Sequence, residues 1–245
     1  MRALSILIIG LLLVAAPAGA QNLKGLVDKA KNAVKTGGNP LSQEEIGNGL
    51  KEALDAGVGE AVSFLSATDG YYKTAYKILL PEEAQKVTAK LKMVPGFADA
   101  EEQVLEKINR AAEDAATKAK PIFVSAIKQM TFADALNLLK GNKDAATRYL
   151  EKTTYDQLYA AFKPVIIESL DKFNAREYWR GAVGAYNKIP LVSKANPELD
   201  DYVTQKALLG MFQLVEKKEL DIRENVSART SDLLKRVFAQ QDKYT

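Results

Sequence analysis

Residues 42–65, SQEEIGNGLKEALDAGVGEAVSFL, carry both the start signal and the apolar stripe of a long helix. Ser42 and Glu45 have the spacing of a capping box, in which the Ser42 hydroxyl accepts from the third helical amide and Glu45 accepts from the amide of Ser42. Apolar residues then recur every three or four positions as far as Leu65. The stretch therefore predicts a helix that begins after Ser42 and runs to about Leu65.

Four glycines lie inside this predicted helix, namely Gly47, Gly49, Gly57 and Gly59. Glycine destabilises a helix by roughly 0.5–1 kcal/mol relative to alanine, because it loses more backbone freedom on folding. Four such residues in one helix predict that another backbone packs closely against it.

The same helical spacing recurs along the rest of the chain, and no run alternates convincingly with a period of two. Thr131 predicts the N-cap of a short helix, and Thr154 with Gln157 predicts a second capping box and therefore a new helix start. Pro121 and Pro164 are expected to break or kink the helices that contain them. The predicted fold class is all-α: a single multi-helix bundle of about nine helices with Pro-kinked helices.

The first 20 residues have the features of a cleavable signal peptide: Arg2, an apolar run at 4–14 and small residues at 18–20. Behind it, the sequence predicts a short amphipathic helix with a flexible linker at 21–40, an all-helical domain at 41–240 and a C-terminal tail at 241–245. We expect the protein in the periplasm, with secretion as the alternative. No transmembrane segment is expected in the mature chain.

Composition excludes several classes of function. The chain has no cysteine and no histidine, so it lacks the usual nucleophilic thiol, the near-neutral general base and the N/S ligands of zinc and copper sites. The 34 Lys and Arg residues nearly balance the 31 acids and are interspersed with them, so no basic stripe predicts nucleic-acid binding. We expect no cofactor and no metal site, since no carboxylate group has the loop spacing of a calcium or magnesium site; the candidate carboxylates are Asp69, Asp200, Asp201 and Asp221.

The segment from residue 67 to 80 has no clear period and contains a turn signal at Asp69-Gly70. It also carries Tyr71, Tyr72 and Tyr76. Tyrosine on a loop supplies rigid amphipathic contact area at a low entropic cost, which makes these three residues the first predicted ligand-binding group.

Arg176 and Trp179 form a second predicted ligand-binding group, through stacking and charge. The spacing around them is helical from 175 to 186. The alternative is therefore an amphipathic helix that buries Trp179 and leaves the arginine in water.

Glu168 is the candidate catalytic residue. It follows the apolar run 165–167, and burial would raise the pKa of its carboxyl toward the value that a general acid needs. The pair Glu168-Ser169 is similar to that of helical lytic transglycosylases, which cleave peptidoglycan, but no Gly-Leu-Met-Gln-like block follows it. The alternative places Glu168 on the solvated side of a helix.

Eight short blocks occur in a fixed order along the chain: LSQEEI (41–46), GLKEAL (49–54), NRAAE (109–113), DAL (134–136), DAAT (144–147), NPEL (196–199), DYVT (201–204) and RTSDLLK (229–235). Their order resembles that of an uncharacterised bacterial family, domain of unknown function 4197, over about residues 41–240. The resemblance implies an exported helical protein of Gram-negative bacteria. It carries no activity and no catalytic residues.

Together these observations favour a non-catalytic binding or interaction protein of the cell envelope. The expected partner is an apolar small molecule, held in a cleft between helices beside residues 71–76, or an envelope protein, recognised through residues 21–40. The alternative is a carboxylate-based hydrolase that acts on peptidoglycan through Glu168.

Overall fold

The structure is a computed structural model that describes residues 41–91, 100–172, 174–188, 190–191, 194 and 196–241. Over these ranges it contains α-helices, one 3-10 helix at Val226–Ala228 and no strand, which confirms the all-α prediction. The predicted signal peptide, the segment 21–40 and all but Gln241 of the predicted tail lie outside the described residues. The nine described α-helices are α1 Gln43–Leu65, α2 Glu82–Leu91, α3 Ala100–Ala116, α4 Ala119–Gln129, α5 Phe132–Lys140, α6 Ala145–Asp171, α7 Ala175–Tyr186, α8 Leu199–Glu224 and α9 Asp232–Gln241.

Helix α1 begins as its sequence predicts. The Glu45 amide donates to Ser42 Oγ at 3.1 Å, and the Ser42 amide donates to Glu45 Oε2 at 2.9 Å. The hydrogen bond from the Ser42 backbone lowers the pKa of Glu45. Thr131 and Asp134 form the same pair of bonds at the start of α5, so both of these N-caps are confirmed.

The helix start predicted at Thr154 is wrong. Thr154 lies inside α6, and its hydroxyl donates to Leu150 O at 2.6 Å within the helix. No new helix starts here because one buried residue recurs every four positions through the whole of α6. The members of this face are Ala146, Leu150, Thr154, Leu158, Phe162, Ile166 and Leu170.

The two prolines occupy different positions. Pro121 lies in the first turn of α4, where the backbone N–H that proline lacks has no partner within the helix. Pro164 lies in the interior of α6, which continues on both sides of it. The kinks at these prolines stay a prediction.

Two long helices, α6 and α8, pack against each other and form the centre of the domain. Helix α6 also contacts α3 and α4, while α1 contacts α4, α5, α8 and α9. Aromatic side chains join these layers: the rings of Phe123 on α4 and Phe212 on α8 meet edge to face at 5.7 Å. Burial of these apolar faces is the main stabilising contribution.

The neighbours of Gly47, Gly49 and Gly57 in α1 are side chains of other helices and not another backbone, so the expectation of a close backbone is wrong. A Cβ at Gly47 would lie 2.4 Å from Phe132 Cδ1, and one at Gly49 would lie 2.6 Å from Val237 Cγ2. Gly59 is open, since its nearest neighbour would be Lys120 Nζ at 4.0 Å.

Opposite effects are expected for alanine at two of these glycines. We expect Gly49→Ala to lower the free energy of unfolding by about 1–3 kcal/mol, because the buried Val237 cannot move aside without strain. We expect Gly59→Ala to raise it by about 0.5–1 kcal/mol through helix propensity alone. Urea denaturation of both variants checks the pair, and the same sign of change in both would contradict this description of α1.

Among the described helices, none is by itself long and apolar enough to cross a membrane. The bent pair α4 and α5, which meet at 102°, passes that test only when the two are taken together.

Candidate functional site

Within the described part of the chain, buried polar side chains form hydrogen bonds with backbone groups. These backbone groups lie in the segment between α1 and α2 and at the ends of several helices. The buried polar and charged residues are Asn109, Glu113, Thr147, Thr154, Ser169, Asp200, Thr204, Glu219, Arg223 and Arg229. Unpaired buried polar groups are strongly destabilising, so these contacts determine what the side chains can do.

Helix α3 fixes the irregular segment 66–80. Asn109 Oδ1 accepts from the amide of Ile78 at 2.8 Å, and Asn109 Nδ2 donates to Ile78 O at 2.9 Å. Glu113 Oε1 accepts from the amides of Tyr71 and Tyr72, both at 3.1 Å. The segment has no regular secondary structure, but these hydrogen bonds fix it to the buried face of α3.

Tyr71 is fully buried, and its hydroxyl donates to Ala207 O on α8 at 2.7 Å. Gly210 gives the ring its space, since a Cβ there would lie 3.0 Å from Tyr71 Cε1. Burial raises the pKa of the Tyr71 phenol. A ligand has no access to Tyr71 in this arrangement, and the residue anchors the segment to α8.

Tyr72 lies at the surface among charged residues. Its hydroxyl donates to Glu102 Oε1, and this hydrogen bond raises the pKa of Tyr72 to about 12. Lys77 Nζ lies 4.6 Å and Arg110 Cζ 5.1 Å from the centre of its ring. The face of the ring is therefore occupied by cations of the chain itself.

Asp69 supports the same segment through Lys73, at 3.0 Å, and through Arg110, at 2.7 Å. These hydrogen bonds, with Lys73 the larger cause, lower the pKa of Asp69 below its ordinary value of 3.8. A lowered carboxyl pKa stabilises the fold above the unfolded value, and that stability is lost as the pH falls through the folded value.

We therefore expect Asp69→Asn to be less stable than the wild type at pH 7, with the difference shrinking as the pH falls below 3.8 and through the lowered pKa of folded Asp69. Asparagine tolerates the left-handed backbone at this position, where φ is 68°, so the charge alone is changed. Thermal unfolding as a function of pH measures the effect. The exposed Asp156→Asn is the control, and an equal pH profile for the two variants would count against the Asp69 contacts.

An open cleft of about 1010 Å³ lies between α1 and α8, and Tyr76 is at its edge. The rings of Tyr76 and Phe64 meet edge to face at 6.3 Å, and Phe64 is 47% exposed. We call this space the α1–α8 cleft. Its lining residues are Asp55, Ala56, Gly59, Glu60, Ser63, Phe64, Tyr76, Lys120, Leu214, Lys217, Lys218, Leu220, Asp221, Glu224 and Asn225.

Acidic and basic residues both line the α1–α8 cleft. Lys218 pairs with Glu60 at 2.6 Å, and Glu224 pairs with Lys143 at 2.5 Å. Lys120 and Lys217 are exposed and carry no ion pair among the described residues. The cleft thus combines an aromatic edge with unpaired cations.

A second cleft of about 340 Å³ shares Tyr76 with the first. Leu79 and Leu209 line it and are 58% and 47% exposed. Tyr202 Oη donates to Leu79 O at 2.9 Å, which holds the segment against α8.

Trp179 and Arg176 are not brought together with Tyr76. Trp179 is buried, and its Nε1 donates to Asn196 O at 3.1 Å, so the burial expected in the alternative is what the structure shows. Arg176 Nε lies 3.4 Å from Asp171 and 3.8 Å from Asp200, mostly out of water. Trp179 does line a third, separate cleft of about 340 Å³ beside Tyr202.

Glu168 lies on the solvated side of α6. Its side chain is 72% exposed and pairs with Lys172 at 3.4 Å. It lines none of these three clefts. In addition, the described residues contain no cluster of three or more acids that could hold a metal ion.

A buried network of polar side chains on α8 was not predicted from the sequence. Glu219 accepts from the amides of Ala146 and Thr147, at 3.1 and 2.7 Å, and therefore caps the start of α6. Arg223 donates to Glu219 at 2.8 Å and to the carbonyls that end α5, and Arg229 donates to the last carbonyls of α8. The sequence does contain one indication of this network. Buried residues recur every four positions along α8, and Glu219 is the next position of this series after Val215.

Several of the eight sequence blocks contain these structural residues. Asn109 and Glu113 lie in the block at 109–113, Thr147 in that at 144–147 and Arg229 in that at 229–235. The blocks thus supply backbone contacts of the fold.

Comparison with known proteins identifies the family of the chain. A family model described as "Protein of unknown function (DUF4197)" matches residues 40–239, which covers the described helical domain almost completely. No curated protein and no solved structure shows significant similarity to the chain. The chain therefore belongs to the DUF4197 family of proteins of unknown function.

Proposed function

We propose that this chain is a non-catalytic binding protein of the bacterial cell envelope and that it holds an apolar ligand in the α1–α8 cleft. The observation that carries the proposal is the aromatic pair Phe64 and Tyr76 at an open cleft of about 1010 Å³. The cleft is large enough for a small molecule, and its aromatic edge lies among mostly polar and charged lining residues.

The lining favours an amphiphilic molecule. Phe64, Tyr76 and Leu214 offer apolar contact, while Lys120 and Lys217 offer charge for a polar end. Apolar surface of the ligand that leaves water supplies the main driving force, at roughly 25 cal/mol per Å².

The proposal of a non-catalytic role is supported by what four buried ionisable residues do. Glu113, Glu219, Arg223 and Arg229 bond to backbone groups and so have structural roles in the fold. The envelope location rests on the signal-peptide pattern of residues 1–20, and the periplasm is the compartment that we propose.

Incubation of the mature protein with an extract of envelope lipids tests the proposal. We expect a lipid to copurify and to raise the Tm, because a ligand of the folded state stabilises it. Phe64→Ala should weaken this binding about tenfold. Phe132→Ala, which removes an exposed phenylalanine away from the cleft, should leave it unchanged. A wild-type protein that neither retains nor responds to any lipid would refute the ligand role and leave the protein-partner alternative.

A further inference from the structure

The two helices that line the α1–α8 cleft run antiparallel, which gives the cleft two distinct ends. The rings of Phe64 and Tyr76 meet at one end, where a Cβ at Gly210 would lie 3.6 Å from Tyr76 Cβ. Toward the other end, a Cβ at Gly57 would lie 3.9 Å from Ile222 Cδ1. The residue number therefore falls along α1 as it rises along α8, and each level of the cleft has a contribution from both helices.

The middle of the cleft, next to the aromatic end, is lined mainly by lysines. Lys217 and Lys218 lie there on α8, and Lys120 Nζ would be 4.0 Å from a Cβ at Gly59 on α1. Glu60 is the acid at this level, and it pairs with Lys218 at 2.6 Å. Lys120 and Lys217 are exposed and carry no ion pair among the described residues, so the middle of the cleft has a net positive charge.

The far end of the cleft is lined by acids. Asp55 and Asp221 each lie about one helical turn beyond the lysine level, which is about 6 Å along the helices. Asp221 accepts from the side-chain amide of Asn225, and neither aspartate has an ion pair within the described part of the chain. Glu224 also lines this end, where it is paired with Lys143. The cleft is thus aromatic, then positive, then negative along its length.

We propose that the ligand of the α1–α8 cleft is an amphiphile whose head group carries a phosphate followed by an ammonium, as in phosphatidylethanolamine. Its acyl chain would lie beside Phe64 and Tyr76. Its phosphate would face Lys120 and Lys217, and its ammonium would face the aspartates of the far end. The order of groups in the ligand is then the order of the three levels. This inference rests on the proposed function, since it names the class of ligand that the same cleft holds.

The two charged levels together select against other head groups. In a head group with a phosphate and an uncharged end, as in phosphatidylglycerol, no cation reaches Asp55 and Asp221. An uncharged head group makes neither set of charged contacts. The lining lysines and acids nearly balance, so a net negative charge by itself gives a ligand no advantage.

Three soluble probes with the same oleoyl chain test the proposal by titration of the mature protein below their critical micelle concentrations. They are lysophosphatidylethanolamine, lysophosphatidylglycerol and monooleoylglycerol. We expect lysophosphatidylethanolamine to bind about fivefold more tightly than lysophosphatidylglycerol, because its ammonium adds contacts with exposed carboxylates. This preference should decrease as salt rises.

Two double variants assign the contacts. Asp55→Asn with Asp221→Asn should bring the affinity for lysophosphatidylethanolamine down to that for lysophosphatidylglycerol and leave monooleoylglycerol binding unchanged. Lys120→Gln with Lys217→Gln should weaken both phospholipids about fivefold but not monooleoylglycerol. The control, Asp156→Asn with Glu168→Gln, removes exposed acids that do not line the cleft and should keep the wild-type preference.

The outcomes separate this inference from the proposed function. Equal or tighter binding of lysophosphatidylglycerol by the wild type, or a preference that survives in the double aspartate variant, would overturn the inference. If all three probes bind equally well, the cleft still holds an apolar ligand and only the head-group assignment is wrong. If none of them binds, the proposed function is contradicted as well.

Discussion

Glu219→Ala is expected to lower the free energy of unfolding by about 3–5 kcal/mol, because it breaks a buried ion pair and uncaps a helix at the same time. The substitution leaves the buried Arg223 without its carboxylate partner. It also removes the acceptor of the Ala146 and Thr147 amides, and Asp144 makes no capping hydrogen bond that could replace it.

The matched control for this variant is Glu224→Ala, which lies on the same helix. Glu224 is exposed and pairs only with Lys143 at the surface, so its loss should change the stability by no more than about 1 kcal/mol. Urea denaturation measures both variants. If Glu219→Ala were as stable as Glu224→Ala, the buried network would have no structural role.

The second large effect is expected for Asn109→Ala, which should lower the free energy of unfolding by about 2–4 kcal/mol. The amide and the carbonyl of Ile78 would both lose their buried partner, and each unsatisfied group costs about 1–3 kcal/mol. Because Tyr76 lies on the segment that Asn109 holds, we also expect weaker binding of lipid in the α1–α8 cleft.

Gln103→Ala is the control for Asn109→Ala, since Gln103 is exposed on the same helix. It should be close to the wild type in stability and in binding. Urea denaturation and lipid binding, measured on the same samples, distinguish a loss of stability from a loss of binding. An Asn109→Ala protein with wild-type stability would show that α3 does not fix the segment.

Capping residues in the sequence predicted the start of a helix correctly only where packing between helices does not favour a longer helix. Ser42 with Glu45 forms the predicted capping box, and Thr131 is the predicted N-cap, which also forms a capping box with Asp134; the backbone of both N-cap residues is extended. Thr154 with Gln157 has the same spacing, yet it lies within α6, where Thr154 belongs to a continuous buried face. Packing of α6 on α8 and α3 therefore overrides the local signal.

The candidate site could be predicted only in part for a related reason. Tyr76 lines the cleft, but Tyr71 is buried through Glu113, which is 42 residues away, and Ala207, which is 136 residues away. Such contacts depend on the assembled fold and leave no local spacing in the sequence. The role of Glu219, in contrast, was open to prediction, since a carboxylate on the apolar stripe of α8 requires a buried partner.

A variant whose α1–α8 cleft is filled by a side chain shows whether lipid binds there. Gly59 lines the α1–α8 cleft and has room for a side chain, so Gly59→Trp should fill the cleft without lowering the stability of the unliganded protein. Gly181→Trp is the control, because nothing lies within 4 Å of a Cβ at that position. We predict that envelope lipid raises the Tm of the wild type and of Gly181→Trp but not that of Gly59→Trp. An equal rise in all three proteins would contradict binding in this cleft.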